Sequence, residues 1–431
     1  MAPRLREFGL SDAGRPPEKR IWWEAVVCAL TCAGLINPIL FSTIIRLTDI
    51  SRDIPTAISL FLMCLSVSTI FILSFFIRNR KFTINSVAIF LILFIFAYIF
   101  TSAIVYINEL RYDYGNMWKQ LAMSLIPALL FFAYYQSMQF KNISKCIIFA
   151  VKIIFLLSGI SIGLEIAGIF SFESYGGRSF GFLGDSVAWL LSFCGVIFFS
   201  TRLNIYFFIT CVFLITTQSR GAIVILLGAV VLIFLIGGGV SLRRRVAIVL
   251  TSAVFFSVVY FLMEDKFLEI ADRFYEIDLI DNDRAWSIEI ALSLFEQSPY
   301  YGLGFNAQVS FFSPYALQKV ELRGFSTPVS TAFQVLSDGG MIAIFAYILL
   351  IIFVTIKSLK CILDKRTAKS NYVCKGAAAW LMLFLWLNHS AAWLIPGSVL
   401  SSLVFASMGM ICGLERLTSA GGKPYSGSGK C

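Results

Sequence analysis

Charge is scarce in this sequence. Asp, Glu, Lys and Arg make up only 14% of the 431 residues, against about 25% in ordinary soluble domains. Histidine is nearly absent: His389 stands alone, which excludes a histidine-based metal helix. There is also no phosphate-cradling Walker loop, no GxSxG elbow with a convincing triad and no Cys/His zinc spacing. Soluble-enzyme templates therefore do not apply, and neither a cofactor nor a metal is expected. The ten cysteines are scattered through apolar segments or beside basic loops, so disulfides are not expected. Cys28 and Cys32, one helical turn apart, read as packing residues. The net charge of +10 occurs without basic clusters interleaved with stacking aromatics, so nucleic acid is not an expected partner. No internal repeat is found.

Apolar residues fill the gap. They make up 58% of the chain, with 42 Phe, and mean hydropathy is +0.83. Because a hydrocarbon core of about 30 Å needs roughly 20 apolar residues per helix, the length accommodates about a dozen spans. The expected fold is an all-α polytopic membrane helix bundle in contact with membrane lipids. Spans are expected near 22–45, 54–77, 83–107, 117–136, 146–170, 185–200, 203–218, 221–240, 246–263, 328–356, 375–395 and 397–414. The polar segment before the first apolar run carries Arg4, Arg6, Arg15, Lys19 and Arg20, and that run is too long for a signal-peptide core, so no cleavage is expected. With both termini cytoplasmic, 24 of the 35 Lys and Arg fall inside, including Arg243, Arg244 and Arg245. The expected organisation is a cytoplasmic segment 1–21, helices over 22–263, a large outward loop 264–327, helices over 328–414 and a cytoplasmic tail 415–431.

The outward loop holds eleven of the 25 acidic residues. Within it Ala285, Ile288, Leu292 and Phe295 recur at helical spacing, predicting an amphipathic helix over 283–297 with Asp283 as N-cap, resting on the outer membrane surface. A shorter pattern over 265–277 reads the same way. Asp281-Asn282-Asp283 matches an Asp-x-Asp metal pattern, although helix capping already accounts for Asp283.

Arginines gather at this outer boundary. Residues 203–240 must hold two spans, so Arg220 in their tight connection is held at the membrane lip, where it snorkels, pairs or faces a wet cavity. Arg178 lies between glycines in an outward loop, where a solvated charge is the alternative. Arg284 falls in the first turn of the expected amphipathic helix, where a cation opposes the dipole unless an anion binds there, and Arg273 precedes it. Four guanidinium forks suit a diphosphate. Among carboxylates, Asp338 lies about ten residues into a span and Glu165 near the outer end of another; each is either a base or an arginine partner. His389 lies near the outer end of the eleventh span, as a helix-end hydrogen-bonding residue or a catalyst.

Ser219-Arg220-Gly221-Ala222 opening a span, Arg284-x-Trp286 through Phe295, Pro299 and Gly302-x-Gly304, and the run Val329 to Ile342 resemble, in order and spacing, the bacterial O-antigen ligase and O-antigen polymerase family. In that run Ser330, Gln334, Asp338 and Gly340 fit the family's segment, and the Arg178 loop looks like its earlier outward arginine loop. The resemblance covers about residues 176–345. It implies a metal-independent enzyme of the bacterial inner membrane whose large loop is periplasmic. It further implies glycan transfer from an undecaprenyl diphosphate carrier, and a chain-length regulator as partner. Val329 stands where ligases have a His that activates or orients the acceptor. A polymerase joining lipid-linked repeat units is therefore the first expectation, with Asp338 as base and Ser330 and Gln334 as accessory residues. A ligase or oligosaccharyltransferase is second. A twelve-span transporter of an anion is the alternative of another class, but its site would lie near the midplane between symmetric halves.

Overall fold

The computed structural model describes residues 17–48, 58–59, 61–70, 85–108, 114–138, 142–168, 183, 186–236, 277–307, 330–364, 369–387, 393–394 and 398–419. Among these residues every regular element is helical and no strand occurs, so the fold is an all-α bundle. The helices are α1 (Pro17–Thr48), α2 (Phe61–Ile70), α3 (Ser86–Ile107), α4 (Tyr114–Leu125), α5 (Leu129–Ser137), α6 (Ile143–Ile166) and α7 (Ser186–Thr201). They continue with α8 (Asn204–Thr216), α9 (Arg220–Ile236), α10 (Ile277–Gln297), α11 (Thr331–Leu363), α12 (Lys369–Leu387) and α13 (Val399–Ser419). Each expected span except the ninth, 246–263, coincides with one of these; the ninth lies outside the described residues. Among the described residues, four helical stretches are long and apolar enough to cross a bilayer unaided: Ser86–Ile107, Met117–Ser137, Ile143–Ile166 and Thr331–Leu363.

The bundle has an interior layer. α7 is buried along nearly its whole length, including Trp189, Leu190, Phe193, Cys194 and Phe198. α12 packs along it, and Gly376 permits the approach, since a Cβ there would meet Ser200 Oγ at 2.5 Å; on another side of α7, a Cβ on Gly195 would meet Leu226 of α9 at 2.9 Å. Trp380 fills the contact. Its ring stacks on Phe384 at 4.7 Å and its indole N–H donates to Ser192 Oγ over 2.9 Å, giving the buried donor the partner it needs. α3 and α11 form a second tight pair, with Phe90 stacked on Phe353 at 3.9 Å. α5 packs against α13, and α1 closes on α5 and α6.

Three elements depart from the sequence reading. The fourth span breaks into α4, a 3-10 turn at Ile126–Ala128 and α5, because Pro127 has no N–H to donate to the α-ladder. The amphipathic helix α10 begins at Ile277, not at Asp283, so Asp283 lies inside the helix and not at its N-cap. The buried face of α10 also differs: Ala291 and Leu294 are buried with Leu303 and Ala307, whereas Leu292 is exposed. The segment is apolar on more than one face, and spacing selected the stripe Ala285, Ile288, Leu292 and Phe295, in which Leu292 is exposed. α10 packs on α11, and that contact selects the stripe.

The third departure is a break in α11. Gly340 has φ 60° and ψ −156°, a conformation restricted to glycine, and it interrupts the helix between Gly339 and Met341. A regular ladder would join the amides of Met341 and Ile342 to the carbonyls of Ser337 and Asp338. Those four groups bond instead to the chain that follows α10. Met341 N–H donates to the Pro299 carbonyl (2.8 Å) and Ile342 N–H to that of Tyr300 (3.4 Å). In return Leu303 N–H donates to the Ser337 carbonyl (3.0 Å) and Gly304 N–H to that of Asp338 (2.9 Å). Two intrahelical bonds are thus exchanged for four between segments, which keeps the backbone satisfied where water is scarce.

Candidate functional site

The break in α11 organises the polar centre of the structure. Asp338, one turn into the helix from its amide-bearing neighbour Gln334 and just before the break, is fully buried. Its carboxylate turns to the returning segment: Oδ2 accepts from Asn306 N–H (2.9 Å) and Oδ1 from Ala307 N–H (2.8 Å). Both oxygens are therefore hydrogen-bonded to backbone. Asn306 itself sits at φ 60°, and its side-chain amide donates to Gln120 Oε1 of α4 over 2.6 Å.

Glycine makes the close approach possible. Gly302 has φ 66°, and a Cβ there would fall inside contact distance of the Asp338 carbonyl and the Gly339 nitrogen. A Cβ on Gly340 would meet the Tyr300 carbonyl carbon at 2.5 Å and Gly302 N at 2.7 Å. Tyr98 of α3 is buried, its hydroxyl has no hydrogen-bond partner, and its ring meets Phe305 of this segment edge-on at 5.7 Å. α3, α11 and the segment Pro299–Ala307 therefore share one interior junction.

The N-terminal half of α11 is fixed from the other direction as well. Gln334 is fully buried and its Nε2 donates to the Leu394 carbonyl (3.1 Å), while its Oε1 has no hydrogen-bond partner. Thr331 Oγ1 accepts from Trp393 N–H (2.9 Å). Ser330 is buried at the N-cap of α11, with no capping bond from its side chain.

Arg220 is the first residue of α9, and its side chain is half-buried. Only Thr217, Gln218 and Ser219 separate it from α8, and the chain turns through a positive φ of 51° at Gln218. The connection is as short as the span arithmetic required. Arg284 lies in α10, eight residues from its start and not in the first turn, so the opposed-dipole argument for an anion at that end does not apply to it. Glu165 is half-buried in the last turn of α6. Arg178, Arg273 and His389 lie outside the described residues. Through helix contacts the structure brings α9 to α11 and α10 to α11, so the elements bearing Arg220, Arg284 and Asp338 adjoin.

Residues 205–360 match the family model described as O-antigen ligase. This segment belongs to the O-antigen ligase and polymerase family. The matched stretch contains Arg220, Arg284, Pro299, the Gly302/Gly304 pair and the whole broken helix up to Lys360; the Arg178 loop lies before it. The match over this part of the chain, together with the apolar helices, supports a multi-pass membrane protein with a role of the O-antigen ligase or polymerase type. No curated protein matches the chain. Two features of the junction escaped sequence reasoning. Gln120 and Asn306 are 186 residues apart, and no local pattern relates them. Asn306 did carry a weak signal, lying two residues past the Gly302-x-Gly304 turn.

Proposed function

We propose that the protein is an O-antigen or related surface-polysaccharide polymerase of the bacterial inner membrane. It transfers a glycan from an undecaprenyl diphosphate carrier to a sugar hydroxyl of a second lipid-linked repeat unit, on the periplasmic face. The observation that carries this reading is the family match across a segment that holds Arg220, Arg284 and the broken helix that follows them. The acceptor oxygen forms a bond to the anomeric carbon as the bond to the diphosphate oxygen breaks. The electron pair leaves with the diphosphate, whose added charge the guanidinium groups of Arg220, Arg284, Arg178 and Arg273 stabilise.

The acceptor proton passes to the departing phosphate oxygen, since Asp338, expected as the base, has both oxygens engaged by backbone N–H groups. Glu165, Ser330, Gln334 and His389 are the remaining candidates for contacts to the sugars. Gln334 has the best claim among them, because its buried Oε1 has no hydrogen-bond partner. No metal or cofactor enters this scheme, and a chain-length regulator is the protein partner proposed.

Ligation is the second reading, favoured by the description of the family model itself, whereas Val329 at the position of the ligase His favours polymerisation. Gene deletion separates the two. Loss of a polymerase leaves surface glycan of a single repeat unit; loss of a ligase leaves full-length polymer that is not attached to its acceptor. A cell with both features unchanged after deletion would refute both.

A further inference from the structure

We infer that Asp338 is a positioning residue: its carboxylate holds the segment Pro299–Ala307 against the break in α11 and thereby fixes the orientation of α10 and of Arg284. The inference rests on the polymerase reading only for the identity of the group that Arg284 meets.

The geometry supports a holding role. Asp338 contributes three acceptors to one short segment: its carbonyl takes Gly304 N–H, and its two carboxylate oxygens take the consecutive amides of Asn306 and Ala307. A carboxylate is strongly suited to this task, because charge-assisted bonds to N–H groups are roughly twice as strong as neutral ones. With Leu303 bonded to the Ser337 carbonyl, four of the five amides from Leu303 to Ala307 are held by a two-residue stretch of α11. The same stretch is sterically matched to glycine at 302 and 340.

The consequence for Arg284 follows from length. Fourteen residues separate it from Ser298 at the end of α10, about 20 Å of helix at 1.5 Å per residue. A tilt of about 10° at the held end would carry position 284 roughly 3.5 Å, whereas productive contacts tolerate displacements of about 0.5 Å. Arg284 is thus placed by a hinge that Asp338 locks.

Asp338→Asn keeps the size of the side chain but replaces one acceptor with a donor that faces an N–H. Gly302→Ala disturbs the same docking from the opposite partner and leaves the carboxylate intact; Gly304→Ala, at φ 84°, strains the backbone of the same segment. Hydrogen exchange of the purified membrane protein reads the holding role directly. Peptides covering 299–307 should exchange at least tenfold faster in Asp338→Asn and Gly302→Ala than in wild type, while peptides from α7 stay protected, which establishes that the variants are folded. Unchanged protection of 299–307 in Asp338→Asn would overturn the inference whatever the activity.

The second arm measures transfer from undecaprenyl diphosphate carrying the host's own repeat unit. A positioning role raises KM for that lipid and lowers kcat in both variants, and the double variant is no worse than the worse single one. A base role gives a different pattern: Asp338→Asn loses kcat with KM intact, and the acidic limb of its pH profile disappears. That pattern would also overturn the inference. Absence of transfer by wild type would refute the polymerase reading and leave the exchange result to decide the role of Asp338.

Discussion

Replacing Gly340 by Ala tests whether the break in α11 is a designed feature of the fold. Two costs add. The backbone at φ 60° and ψ −156° is open essentially to glycine alone, and forcing another residue there costs about 1–3 kcal/mol. The new Cβ would lie 2.5 Å from the Tyr300 carbonyl carbon and 2.6 Å from its oxygen. These are backbone atoms, with no side-chain end that could swing away. The loop must withdraw, which loosens the bonds from Met341 to Pro299 and from Ile342 to Tyr300; at about 1 kcal/mol each the total reaches about 3–5 kcal/mol. Gly163→Ala is the matched control: it lies in α6 at an ordinary helical φ with nothing within 4 Å of its Cβ, and alanine is the better helix former. Thermal unfolding of detergent-purified protein, followed by loss of monodispersity, should rank Gly340→Ala well below wild type and Gly163→Ala at or above it. Equal midpoints for the two variants would refute the reasoning, because the left-handed turn and the close approach would then carry no energetic weight.

Three further outcomes are expected. Arg220→Lys and Arg284→Lys should each lose transfer by about 100-fold or more with insertion unchanged, since a lysine offers phosphate a point charge in place of a planar fork; full-length polymer in cells carrying both changes would show that these positions supply only field. Glu296→Cys on α10 should react with a membrane-impermeant maleimide added from the periplasmic side and Leu363→Cys at the end of α11 should not, and the reverse pattern would invert the proposed topology. Trp380→Phe should destabilise by about 1–3 kcal/mol by removing a buried donor from Ser192, whereas Trp386→Phe, which loses an exposed bond to Thr355, should cost less than about 1 kcal/mol; similar losses would contradict the interior position of the α7–α12 contact.

Helix placement was largely legible because each span must satisfy its backbone internally, so hydropathy and length determine existence and approximate ends. The tight turn before Arg220 followed from the same arithmetic. Orientation of faces was harder to read. In α10 apolar residues lie on more than one side, and only its contact with α11 distinguishes Ala291 and Leu294 from Leu292. The break in α11 was hidden for a related reason: Gly339-Gly340 within a long apolar run is ordinary in membrane helices, and what makes Gly340 special is a partner segment about forty residues earlier. The Asp338 carboxylate was recognised as the unusual group in its span, but the amides of Asn306 and Ala307 that occupy it are invisible to any local pattern.

The shortness of α8 bears on the bilayer itself. Its 13 residues, bounded by tight turns at both ends, rise only about 20 Å, against a hydrocarbon thickness of about 30 Å. Ile205 and Ile209 are exposed along it, so acyl chains reach this helix and must adapt to it. If α8 crosses the bilayer, lipid next to it would be compressed, at a cost of fractions of a kcal/mol per Å of mismatch. Compression brings the two headgroup planes closer together between Arg202 and Arg220, the cations that flank the helix. Under the proposed function, a polyprenyl carrier arriving there would meet a membrane thinned beside Arg220, and the acyl-chain length of the host membrane would tune delivery of substrate.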